Sequence, residues 1–183
     1  RGVYLGESWQ DDIMIYPHHA GEKTLAPVRE YTSERYLGFW RAGTKRGNDG
    51  VFFREINYCG LASMNWMYYY DDENGLYISS YDRDFIVTGL RVETGGPDDP
   101  WMGWAMRKYA TVNPGETWNS HPYGVGITTD DWHFGASRYR EWIDGVIQMP
   151  DNPKYLEDET ILNQCYNFKR DGVIYNRFGD IPS

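Results

Sequence analysis

Apolar and polar positions alternate through most of residues 1–120 in short runs closed by turn residues. Runs at 3–9, 51–58, 65–70, 76–81, 85–94 and 102–112 have the β-branched and aromatic content of strands. Two of them flank Asp71-Asp72-Glu73-Asn74-Gly75, a hairpin signal because Asn and Gly accept the positive φ of tight turns. Gly95-Gly96-Pro97-Asp98-Asp99-Pro100 and Asn113-Pro114-Gly115-Glu116 punctuate the later runs in the same way. In the run at 65–70, Trp66, Tyr68 and Tyr70 share one face, while Met67 and Tyr69 share the other. A strand apolar on both faces belongs at the centre of a sheet covered on both sides. Strand following strand with turns between predicts a mainly β fold, an antiparallel sandwich over residues 1–128, rather than βαβ units.

The period changes after residue 128. Trp132, Ala136, Tyr139 and Ile143 recur at helical spacing, with Arg138, Arg140, Glu141 and Asp144 between them. Asp130 is a suitable N-cap, and Gly145 marks the exit. Residues 129–183 therefore read as a helical linker, with Asp151-Asn152-Pro153 breaking it and a weaker segment running to about Arg170. The final stretch, 175–183, closes no element and reads as a lead-in to a further domain.

Composition narrows the function classes. Among 183 residues, aromatics make up 17% and the formal charge is −9, with no basic run. Such a chain is a poor partner for nucleic acid or an anionic membrane surface. Mean hydropathy is −0.70 and no stretch has the length of an apolar membrane span. The aromatic content also excludes disorder. No charged-then-apolar leader follows Arg1, so no targeting signal is read. Cys59 and Cys165 are compatible with one disulfide or with two thiols.

Catalytic motifs are scarce. The pairs Asp11-Asp12, Asp71-Asp72, Asp98-Asp99 and Asp130-Asp131 point their members to opposite faces on a strand, unlike the facing dyad of glycoside hydrolysis, and read as turn and capping chemistry. The Asp-rich loop at 71–74 lacks the calcium-loop spacing. His18-His19, His121 and His133 lack zinc-ligand spacing, so neither metal nor cofactor is expected. Neither cysteine has a catalytic context, and phosphate-loop and serine-elbow motifs are absent. Aromatic rings are the better lead, because the C–H faces of sugars stack on them. Trp40, Trp66, Tyr68, Tyr70, Trp101, Trp104 and Trp118 are the supply. Most of these read as core, whereas Trp101 and Trp104 follow a Gly- and Pro-rich loop and are expected at an exposed rim.

The order of motifs resembles a family. Tyr58-Cys59-Gly60-Leu61-Ala62-Ser63-Met64-Asn65-Trp66-Met67, then Gly75-Leu76-Tyr77-Ile78 and Asp82, is similar to a group of glycoside-hydrolase-like proteins known as a domain of unknown function. Those proteins join an N-terminal β-supersandwich of the galactose-mutarotase-like type to a (β/α)8 barrel through a helix. Asp131-Trp132-His133-Phe134-Gly135-Ala136-Ser137-Arg138-Tyr139-Arg140-Glu141-Trp142 resembles their linker helix, and Phe178-Gly179-Asp180-Ile181-Pro182 the segment before the first barrel strand. The resemblance covers most of residues 50–183. Asn65 departs from it, standing where a Gln is usual, so any hydrogen bond it makes must be to a closer partner.

The resemblance implies a non-catalytic β-sandwich portion of a glycoside hydrolase acting on poly- or oligosaccharide, with catalytic carboxylates on a barrel outside this sequence. It further implies an extracellular or periplasmic protein, with carbohydrate and the barrel as partners. Trp101, Trp104, Trp66 and Asn65 are the candidate sugar-binding residues. A free-standing carbohydrate-binding module is the alternative from another class, and a purely structural β-domain the third.

Overall fold

A computed structural model describes residues 2–38 and 42–147, and the backbone of 168–170 and 173–175. Residues 1–147 form one compact unit and 148–183 a second. The strands of the first unit are β1 (Val3–Tyr4), β2 (Ile13–Tyr16), β3 (Glu22–Leu25), β4 (Lys45–Arg46), β5 (Phe52–Tyr58), β6 (Trp66–Tyr70), β7 (Gly75–Ser80), β8 (Thr88–Thr94), β9 (Trp101–Lys108) and β10 (Tyr123–Thr128). Two one-turn helices, α1 (Pro27–Glu30) and α2 (Glu34–Leu37), follow β3, and α3 (Trp132–Val146) follows β10. The second unit contributes the hairpin β11 (Phe168–Arg170) and β12 (Val173–Tyr175). Trp40, Cys165 and the segment 178–182 lie outside the described residues. Cys59 is an exposed free thiol.

Two antiparallel five-stranded sheets make the expected sandwich, ordered β1-β9-β8-β5-β4 and β10-β7-β6-β2-β3. Met14, Tyr16 and Met67 of the second sheet interleave with Ile56, Leu90, Val92 and Met102 of the first. The opposite face of the second sheet carries Ile15, Trp66, Tyr68 and Tyr77, and α3 covers it with Trp132, Phe134, Tyr139, Trp142 and Ile143. β6 is therefore central and buried on both faces, as its two apolar faces require. The helix lies in the same compact unit as the sandwich.

Local chemistry differs from expectation in three places. The β6–β7 hairpin forms, but neither Asn74 nor Gly75 has a positive φ. Asp71 Oδ1 instead accepts from the Glu73 and Asn74 amides at 2.7 and 2.6 Å, and Gly75 is needed because a Cβ there would lie 2.1 Å from the Tyr68 hydroxyl. The run at 85–94 becomes a strand only from Thr88, because Phe85 sits at φ 51°. The α3 N-cap is Asp131, one residue later than expected, and its carboxylate accepts from the His133 amide. By contrast, Gly115 takes φ 84° behind Pro114, the turn its sequence calls for.

Candidate functional site

One end of the sandwich carries a line of polar side chains running from between the sheets to the surface. It starts at Asn65, just before β6, whose carbonyl receives the Ser80 amide at 3.0 Å and the Ser79 hydroxyl at 3.2 Å. Asn65 Nδ2 reaches Thr88 Oγ1 only at 3.5 Å. Lys108 Nζ donates to the same Thr88 oxygen at 2.6 Å and to Asp82 Oδ2 at 2.5 Å. The Asp84 amide donates to Asp82 Oδ1 at 2.9 Å, and His121 Nε2 lies 2.9 Å from Asp84 Oδ2. The four strands β6, β7, β8 and β9 thus each supply or adjoin one member.

Burial dictates the electrostatics. Asp82 is 1% exposed and the Lys108 side chain 4%. Burial alone would raise the Asp82 carboxyl, but hydrogen bonds from Lys108 and the Asp84 amide, with the Lys108 charge, hold it below the ordinary carboxylate range. An ionised Asp82 is an acceptor and an anion, and lacks the raised pKa that a glycosidase general acid needs. Asp84 is exposed. Two buried polar atoms of this region, Asn65 Oδ1 and Ser80 Oγ, have no protein partner.

Beside the polar line is an aromatic wall. The Trp142 ring of α3 stands 5.5 Å from Tyr81, 6.4 Å from Phe85 and 5.4 Å from Tyr139. Tyr139 donates to the Tyr58 hydroxyl at 3.3 Å, and Tyr58 in turn lies against Phe85. An open cleft of about 400 Å³ is lined by Tyr81, Arg83, His121, Pro122 and Trp142. The cleft thus combines the rings of Tyr81 and Trp142 with the Arg83 guanidinium and the His121 imidazole, and His121 in turn contacts Asp84. Phe85 completes the wall from the left-handed region, a conformation that costs a bulky aromatic free energy and clusters at binding sites.

The tryptophans expected at a rim are placed elsewhere. Trp101 is 5% exposed. β1 pairs across it, a Cβ on Gly2 would lie 2.5 Å from its ring, and its indole donates to Asp99 at 3.0 Å. Trp104 points inward with Met102 and Met106, half-buried against Tyr69 at 5.2 Å. Strand alternation puts the two rings on opposite faces of β9, Trp104 toward the inter-sheet core and Trp101 on the other face, where Gly2 and Asp99 pack against it. Trp66 is in the core beneath α3, and Asn65 is buried in the polar line. None of the four candidates lines this cleft: Asn65 is joined to it through the polar line, whereas Trp101 and Trp66 each line a different depression. The carboxylate pairs serve structure: Asp71 closes a turn, Asp131 caps α3 and Asp12 accepts from the buried Tyr69 hydroxyl. Sequence reasoning missed Tyr81, His121 and Lys108 as site residues, and no local motif marks them. Asp82 and Trp142 stood within the segments that carried the family resemblance. Asp82, Asp84 and His121 also form a group of metal-ligating side chains.

No protein-family model matches this chain, and neither a curated protein nor a solved structure does.

Proposed function

We propose that this chain is the non-catalytic β-sandwich portion of a glycoside hydrolase acting on poly- or oligosaccharide, and that it meets sugar at the Tyr81–Trp142–His121 cleft. The observation that carries this reading is convergence. Tyr58, Asn65, Asp82, Tyr139 and Trp142 come from segments far apart in the chain, all within the family-like motifs, and they gather around one end of the sandwich. Such a portion also needs a surface for its catalytic companion. Tyr123, Val125 and Ile127 on the edge strand β10 share the sheet face of Met67 and Tyr69 but are exposed, Val125 by 72%. An apolar stripe on an open edge supports cover by a further domain. A free-standing carbohydrate-binding module is the second reading, favoured by a cleft built wholly from residues 1–147.

The full chain should hydrolyse none of a panel of chromogenic glycosides, and should bind an oligosaccharide on a glycan array. His121→Ala and Arg83→Ala should each weaken that binding by about tenfold, equivalent to ~1.4 kcal/mol. Turnover by pure protein overturns the non-catalytic assignment. Binding indifferent to both variants overturns the site.

A further inference from the structure

We infer that Asp82, Asp84 and His121 form a binding site for a divalent transition-metal ion of the zinc type. The inference is independent of the carbohydrate reading. Each residue offers one ligand atom, and the three atoms lie within 4.8 Å of one another. His121 Nε2 is 2.9 Å from Asp84 Oδ2 and 3.8 Å from Asp82 Oδ1. Ligands bonded to one tetrahedral zinc at ordinary lengths are about 3.3 Å apart, so the observed separations bracket the value a shared ion imposes.

Backbone pairing fixes this juxtaposition. Tyr123 pairs with Ser80 where β10 meets β7, and the Tyr81 amide donates to the Pro122 carbonyl at 2.9 Å. His121 is therefore brought opposite Asp82 by continuation of the ladder. Asp82 is oriented from behind: Lys108 occupies Oδ2, and Oδ1, which accepts the Asp84 amide through one lone pair, faces the imidazole. Two carboxylates converge on the imidazole, one of them already paired with Lys108, while the Arg83 guanidinium lines the same cleft. A plain ion pair between the exposed Asp84 and His121 would contribute little and would not need Asp82 beside it.

The donor set selects the ion. An imidazole nitrogen suits zinc and its neighbours, whereas calcium takes six or more oxygen ligands. Three protein ligands leave a coordination position open toward the cleft that His121 also lines, as in zinc sites that take water or a further ligand.

Zinc chloride titrated into the chelator-treated full chain, in competition with a chromophoric zinc indicator, tests the site. One zinc per chain is expected to bind. His121→Ala and Asp84→Asn, both surface changes, should each weaken it by about 100-fold. His133→Ala, remote from the cluster, should leave it unchanged. Cobalt should give visible absorption bands that disappear in His121→Ala. Absence of a stoichiometric site in the folded chain, or a site that survives both ligand variants, overturns the inference.

Discussion

Replacing Arg54 by methionine is expected to destabilise the sandwich by about 3 kcal/mol, at the lower end of the cost of breaking a buried ion pair. Arg54 on β5 is fully buried between the sheets. Its Nη1 and Nη2 donate to the two oxygens of Glu22 at 2.6 and 3.2 Å, and its Nε donates to the Ala42 carbonyl at 2.9 Å. Tyr16, Tyr31 and Tyr36 surround the guanidinium at 4.7, 5.0 and 4.7 Å. Glu22 begins β3 in the other sheet, so the pair ties the two layers together. Methionine fills part of the volume but removes the arginine partner of a partly buried carboxylate, leaving Glu22 only the Tyr36 and Thr24 hydroxyls and the His18 ring. Because Glu22 keeps some exposure, water softens the penalty. Adding Glu22→Gln removes that charge, and the double variant should be less destabilised than the two single effects sum to. Lysine should not rescue, lacking the planar two-pronged fork. Urea unfolding of the five proteins measures all of this, and additivity in the double variant would contradict it.

The same pair sets an acid limit. Burial by itself would raise the Glu22 carboxyl, but Arg54 outweighs it and holds the group below the usual carboxylate range. A depressed native pKa contributes stability that is fully present above the unfolded value, about 4.3, and is lost as the pH falls through the native one. Asp82, depressed by Lys108, acts with the same sign. In the Arg54→Met protein the Glu22 share of this acid sensitivity should disappear.

Replacing Gly135 by leucine is expected to cost about 2 kcal/mol by overpacking and to abolish sugar binding at the cleft. A Cβ at Gly135 would lie 3.0 Å from the rings of both Tyr68 and Tyr77 and 3.1 Å from Trp66. Leucine must therefore lift the helix from the second sheet. Trp142 sits about two turns further along the same helix, so lifting α3 withdraws one wall of the cleft. The Tyr68 hydroxyl, which donates to the Asp130 carbonyl at 2.7 Å, would lose the helix entry it fixes. Gly135→Ala is the milder comparison: it gains about 1 kcal/mol of helix propensity against a contact a few tenths of an ångström too close. Thermal unfolding together with glycan binding reads both variants. A leucine variant that keeps wild-type affinity would contradict the placement of Trp142.

The sheets were legible because their period is a backbone property. Trp66 to Tyr70 carries apolar residues on both faces, and such a strand has few places to go but the middle of a covered sheet. The exposure of Trp101 and Trp104 was not legible. It depended on β1 pairing with β9, from the other end of the unit, and on the inward register of Trp104. Strands β2, β3 and β10 were not anticipated either; β10 alternates Gly with Tyr, Val and Ile, a weak pattern that gains its partner only through β7. The site was half visible. Asp82 and Trp142 lay in recognisable segments, but His121 and Lys108 reach Asp82 across 39 and 26 residues, a proximity that local spacing cannot encode.

The family-like segments converge on the cleft walled by Trp142, the proposed sugar-binding face. Fluorine NMR of the full chain labelled with 5-fluorotryptophan tests it directly, with the resonances assigned by single Trp→Phe variants. On adding the oligosaccharide that the chain binds on the array, the Trp142 resonance should shift saturably, while those of Trp66, Trp101 and Trp104 hold still. Movement at Trp101 or Trp104 with Trp142 unaffected would contradict the claim.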